Sequence, residues 1–135
     1  MTTILAAVND IFFYTKLRDA LKPQGYRLER ARAQQDVPDK TATLLPAAVI
    51  VDMNDPSLDG LKALEAIRAD ARFKALPVLA FANHEEVHTW QEAKRLGVTK
   101  IVSRNEFSSR TRDLVSELIH PDHSGSIQSE SPTVL

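Results

Sequence analysis

Apolar residues fall along this chain in two alternating kinds of segment. Short unbroken runs mark strands buried on both faces of a sheet. The clearest are Ile4 to Val8, Ala47 to Val51 and Leu76 to Ala82, the last led in by Pro77, and Val98 to Ser103 reads as a further strand. Tyr26 to Ala33 alternates poorly and carries Arg27, Glu29, Arg30 and Arg32, which predicts an edge strand whose charge discourages pairing with other chains. Between the strands, apolar positions recur at helical spacing. Phe13, Leu17, Ala20 and Leu21 follow Asn9 and Asp10, either of which can cap the helix, and Pro23 and Gly25 end it. Pro38 to Leu45 reads as a short, weak helix. Leu61, Leu64 and Ile67 face inward from a helix over Asp59 to Asp70, and Glu85 to Leu96 is a helix closed by Gly97. Phe107, Leu114, Val115 and Leu118 form the inner stripe of one helix over Glu106 to Ile119.

Strands that alternate with helices in this way predict a parallel sheet covered by helices on both faces, and right-handed crossovers leave few topologies. In open sheets of this kind the binding crevice lies at the carboxyl ends of the strands, beside the point where strand order reverses. Asp10 and Asp52 both stand at such ends. One domain is expected over residues 1–120. From Pro121 the composition turns to Ser, Pro, Asp and Gly, so residues 121–135 are expected to be a disordered tail.

Composition narrows the function classes. A chain of 135 residues can bury a real core, and 43% apolar with 26% charged residues is the balance of a soluble globular protein. A formal charge of −1 argues against non-specific nucleic-acid binding, which needs a clustered basic surface. Without cysteine, disulfides and thiolate metal sites are excluded. His84 and His88, four apart on what reads as one helix face, have no third ligand nearby and read as solvated rather than zinc-binding, and His120 and His123 add no metal spacing. The longest apolar run near the N-terminus, Ile4 to Val8, is too short for a signal-peptide core or a membrane span, so a cytoplasmic protein without membrane partners is expected.

If the strands ending at Asp10 and Asp52 are neighbours, their carboxylates converge above the sheet edge. Hard oxygen ligands at a partly open site suit magnesium, whose charge would offset the repulsion between the acids and could recruit a phosphoryl group. The plainer alternative makes Asp10 a helix cap and Asp52 a strand end. The segment from Asp52 to Gly60 favours the first reading: Asp52 is followed by Pro56 at +4 and by Asp59 and Gly60 at +7 and +8. This spacing closely resembles the loop after the third strand of bacterial two-component response-regulator receiver domains, and the resemblance covers about residues 3–119.

The resemblance implies a flavodoxin-like (CheY-like), doubly wound, five-stranded parallel sheet of order 2-1-3-4-5. It makes Asp52 the phospho-acceptor, and Asp10, Asp52 and the backbone carbonyl of Asn54 the magnesium ligands. Asn9 stands where the family has a second acid; an amide can still coordinate but brings no charge, so magnesium is expected to bind weakly. Further departures affect the switch. Ala82 replaces a threonine or serine and has no donor to draw the following loop inward. Arg104 replaces lysine, and its planar fork is no substitute for a compact ammonium. Asn105 replaces the proline of a bond that is commonly cis in the family. A cis bond before Asn105 would cost roughly 2.5–4 kcal/mol, so trans is expected, with Arg104 moved relative to the site. Ile101 replaces the aromatic switch residue. Asp55 reads as a solvated loop carboxylate, and His84, two after Ala82, stands where receivers tune loss of the phosphoryl group.

Three functions compete. The first is a stand-alone, atypical receiver, not an enzyme, phosphorylated on Asp52 by a histidine kinase or phosphotransfer protein. Its output partner would dock on the face built from the fourth helix, fifth strand and fifth helix. The second is a pseudo-receiver that binds partners without phosphorylation, favoured by Ala82, Ile101 and Asn105. The third, a small phosphotransferase or phosphatase, is disfavoured because the segment Asp52-Met53-Asn54-Asp55 lacks the Asp-x-Asp spacing of haloacid-dehalogenase-like phosphatases.

Overall fold

The computed structural model of the chain describes residues 2–121. Its elements run β1 (Thr2–Ala7), α1 (Ile11–Leu21), β2 (Tyr26–Ala31), α2 (Asp36–Leu44), β3 (Ala48–Asp52), α3 (Gly60–Ala69), β4 (Val78–Ala82), α4 (Val87–Arg95), β5 (Lys100–Ser103), α5 (Arg104–Ser109) and α6 (Thr111–Ile119). One-turn 3-10 helices occupy Lys22–Gln24 and Ala71–Phe73. All strand pairs are parallel, in the order β2-β1-β3-β4-β5, and the charged strand β2 takes one edge, as its sequence predicts. The expected tail lies, beyond Pro121, outside the described residues.

Alternate strand residues feed two separate cores, because successive side chains on a strand point to opposite faces. Ile4, Ala6, Ile50, Leu79, Phe81 and Val102 pack with Leu17 of α1, Phe107 of α5 and Leu114 and Leu118 of α6. Leu5, Ala7, Val49, Val51, Ala80 and Ile101 pack on the other side with Val37 of α2, Leu64 and Ile67 of α3 and Ala93 of α4. Burial of each larger side chain contributes about 1.5–3 kcal/mol. Tyr14, rather than Phe13, is the buried aromatic residue of α1; Phe13 is half-buried against the first core.

The last helix differs from its expected form. A single helix over Glu106 to Ile119 is replaced by α5 and α6, with a break at Arg110 (φ −128°, ψ 29°). The Ser103 hydroxyl accepts the Glu106 N–H at 3.0 Å, which caps the helix and starts it at Arg104. At the other end, Ser109 Oγ donates to the Glu106 carbonyl and Thr111 Oγ1 to the Phe107 carbonyl, local bonds of the kind that bend helices. Arg110 then bridges Glu106 of α5 and Glu117 of α6 at 2.9 and 2.8 Å. A second correction concerns His84, which sits in the loop before α4 rather than on a helix face with His88.

Candidate functional site

Strands β1 and β3 are paired neighbours, with Ala7 opposite Val51, so Asp10 and Asp52 stand at the carboxyl edge of the sheet. Asp52 ends β3 and pairs across to Phe81 of β4. It is 4% exposed and is the one buried Asp, Glu, His, Lys or Arg among the described residues. A buried carboxylate must be partnered or neutralised. Here the Asn54 N–H donates to Oδ1 at 3.0 Å, and Arg104 Nη1 donates to Oδ2 at 3.3 Å. Burial nevertheless holds the Asp52 carboxyl above the usual carboxylate range, against the lowering pull of the Asn54 N–H and of Arg104.

Arg104, the first residue of α5, reaches back over the site. Its guanidinium lies 4.6 Å from the ring centre of Phe13 and 5.2 Å from that of Phe81. The two rings and Phe107 form a trio linking α1, β4 and α5; Phe81 and Phe107 stack at 4.7 Å and Phe13 is 5.2 Å from Phe81. No peptide bond among the described residues is cis, as expected for the bond before Asn105.

Asp10 is exposed and caps α1, its Oδ1 accepting the N–H groups of Phe12 and Phe13 at 3.0 and 3.1 Å. The cap uses one carboxylate oxygen. Asn9 is already engaged: its Nδ2 donates to Ser57 Oγ at 2.7 Å, and its side-chain and main-chain oxygens accept from Arg30 Nη2. Arg30 Nε also donates to the Val8 carbonyl at 3.0 Å. Ser57 Oγ donates in turn to Asp55 Oδ1 at 2.6 Å, so Asp55 braces its own loop. This chain of contacts, from Arg30 through Asn9 and Ser57 to Asp55, ties the β1–α1 loop to the β3–α3 loop.

Ala82 is buried and offers no hydroxyl. The β4–α4 loop is held instead by the Asn54 side chain, whose Oδ1 accepts the Asn83 N–H, and by Trp90, whose Nε1 donates to the Asn83 carbonyl at 3.0 Å. Ile101 is buried in the core beneath α4. A cleft of about 490 Å³ opens beside Arg104, between Phe13 and Lys16 on one side and Asn83 and His84 on the other. Sequence reasoning identified Asp10, Asp52 and Arg104, but missed Arg30, Ser57, the Asn54 side chain and the aromatic seat of Arg104. The Ser103–Glu106 spacing was the one readable clue that Arg104 begins a helix.

The donor set fits magnesium in kind: two carboxylates and the Asn54 carbonyl at one sheet edge are hard oxygen ligands. It fits less well in charge, since Asn9 is neutral and the guanidiniums of Arg30 and Arg104 stand at the same edge.

The response regulator receiver domain family matches residues 4–116 of the chain. Solved structures of similar fold include chemotaxis protein CheY4 of Vibrio cholerae, at 21% identity and TM-score 0.78, covering 87% of this chain and 98% of that one. A response regulator signal receiver domain from Bermanella marisrubri matches at 21% identity and TM-score 0.78, covering 89% of this chain and 100% of that one. The receiver domain of a Pseudomonas aeruginosa sensor histidine kinase, with magnesium coordinated in its active-site cleft, matches at 18% identity and TM-score 0.77, covering 87% and 97%.

Proposed function

This chain belongs to the response regulator receiver domain family of two-component signalling, and from that membership we propose that it accepts a phosphoryl group on Asp52. The donor is a phosphohistidine on a histidine kinase or phosphotransfer protein. An Asp52 oxygen attacks phosphorus in line, the O–P bond forms as the N–P bond breaks, and the electron pair stays on the imidazole nitrogen, which takes a proton from water.

The observation that carries this reading is the burial of Asp52 at the sheet edge between a backbone N–H and a guanidinium. Burial strips water from the nucleophile, the Asn54 N–H orients it, and Arg104 offers positive charge to the incoming phosphoryl oxygens. Asp10, Asp52 and the Asn54 carbonyl, with Asn9 as a neutral neighbour, would hold magnesium weakly, and the ion would add charge neutralisation when bound. The output is protein–protein interaction at the face that includes α4, β5 and the α5–α6 pair that takes the place of one fifth helix.

A second reading, an interaction module that works without phosphorylation, is supported by Ala82 and by the fixed position of Asn83 between Asn54 and Trp90. Beryllofluoride with magnesium distinguishes the two, because this phosphoryl mimic needs the carboxylate but no kinase. Amide spectra are expected to shift around Asp10, Asp52 and Arg104 at millimolar magnesium, and the Asp52→Ala protein is expected not to respond. Silence in the unsubstituted protein would establish the second reading.

A further inference from the structure

We propose that Arg104 is the element that reads the charge at Asp52 and passes it to α1 and α5, in place of the β4–α4 loop. The biological trigger of this device rests on Asp52 being the acceptor; the coupling itself does not.

Asp52 makes two side-chain hydrogen bonds among the described residues, to the Asn54 N–H two positions on and to Arg104. The first is local to its own loop. Arg104 is therefore the side chain that carries a change at Asp52 directly to another element. Its guanidinium is shared between an anion and two ring faces, Phe13 at 4.6 Å and Phe81 at 5.2 Å. A planar, delocalised cation can hold both kinds of partner at once, which a compact ammonium cannot do as well. When negative charge at Asp52 is lost, or moves outward on a bound group, the guanidinium must change its position relative to the rings.

The path onward is built from direct contacts. Arg104 is the first residue of α5, and Phe107, one turn later, stacks on Phe81 and lies 5.8 Å from Phe13. The break at Arg110 makes α5 a six-residue segment, separate from α6. A groove of about 240 Å³ lies between α1 and the α5–α6 junction, lined by Lys16, Leu17, Ala20, Phe107 and Arg112. It gives α5 room to shift. The other route is indirect: Ala82 has no side-chain donor, and Asn83 meets the Asp52 carboxylate only through Asn54, whose N–H donates to Asp52 while its side chain accepts the Asn83 N–H.

The test needs no phosphorylation. In the full chain, Asp52→Asn is compared with the unsubstituted protein by amide and aromatic-ring NMR. Shifts are expected to run through Arg104 to the Phe13, Phe81 and Phe107 rings and to the amides of Lys16, Ala20 and Ser108, while Asn83 N–H and Trp90 Nε1–H move less. In an Arg104→Leu background the same Asp52→Asn change is expected to stay within the β3–α3 loop. Arg104→Lys, which keeps the charge and loses the planar seat on the rings, is expected to weaken the ring shifts, and it serves as the background should the leucine protein not fold. The proposal is overturned if shifts reach α1 and α5 equally without Arg104, or if Asn83 and Trp90 move more than the rings. Beryllofluoride with magnesium forms the second arm. A protein that ignores the mimic but answers Asp52→Asn through Arg104 keeps the relay and loses the acceptor reading; a pocket response that stops short of the rings does the reverse.

Discussion

Gly60 is expected to be needed for space rather than for backbone freedom, and Gly60→Ala tests this at the wall of the site. Gly60 is the first residue of α3, just after the Asp59 cap. A Cβ there would lie 2.4 Å from Met53 Sδ, 3.1 Å from Val51 Cγ1 and 3.3 Å from Met53 Cα. The sulfur ends a flexible side chain and can swing away, at about 0.5–1.5 kcal/mol if it leaves its rotamer. Val51 is a fully buried, β-branched strand residue and Met53 Cα is backbone, so neither yields freely. Overpacking of this kind costs about 1–3 kcal/mol. Against it stands the helix preference of alanine over glycine, about 0.8–1 kcal/mol in a helix interior and less at a first position. The clash wins, and a net loss of about 1–2 kcal/mol is expected, or a fall in melting temperature of roughly 3–10 °C for a domain of this size. Thermal and urea melts measure it, and a double-mutant cycle with Met53→Ala should recover part of the loss by removing the nearest atom. An unchanged or raised melting temperature for Gly60→Ala would refute the reasoning and leave Gly60 as a turn residue only.

Two further outcomes follow from the described geometry. Burial raises the Asp52 carboxyl above the usual carboxylate range in the fold, so its contribution to stability is complete only below the unfolded value and is lost as pH rises through the native one. Asp52→Asn, which mimics the neutral form, is therefore expected to raise the melting temperature at neutral pH, with a gain that shrinks on acidification and vanishes below the ordinary carboxylate range; a gain that persists in acid would trace to something other than ionisation. Leu45 ends α2 in the left-handed region (φ 48°) and is 66% exposed. Leu45→Gly relieves that strain, so the urea midpoint should rise by the equivalent of about 0.5–1 kcal/mol with an unchanged slope, whereas Leu45→Ala, which keeps the strain, should give no gain.

The parts of the fold legible in the sequence were those where one physical requirement governs a whole segment. A strand buried on both faces needs an unbroken apolar run, so Ile4 to Val8 and Ala47 to Val51 located β1 and β3 to within a few residues. The charge of Tyr26 to Ala33 located an edge for the same reason. The final helix was misread because Phe107 and Leu114 are seven residues apart, and the apolar stripe keeps its phase across the break at Arg110. The interruption comes from hydroxyls bonding to carbonyls, which periodicity does not register. At the site, Asp52 was readable from its place at a strand end, and Arg104 only through the family resemblance. Arg30 on Asn9, 21 residues away, and Asn54 on Asn83, 29 away, depend on which loops the sheet brings together.

The same contacts change how the departures from the family pattern are to be understood. Taken one at a time, Asn9, Ala82 and Arg104 read as losses: a missing charge, a missing donor and a poorer cation. Taken together they form a pocket that neutralises itself. Asn9 is held by Arg30, Asp52 by Arg104, and Asn83 by Asn54. Asp52 is the buried member of the pair and Arg104, 36% exposed at its side chain and seated on two rings, is not, so Arg104 is part of what allows Asp52 to be buried as a charged group at all. A divalent ion entering this edge must share Asp52 with a guanidinium already in place. The weak magnesium binding and the signal through Arg104 proposed above therefore share a physical origin, the placement of a planar cation beside Asp52.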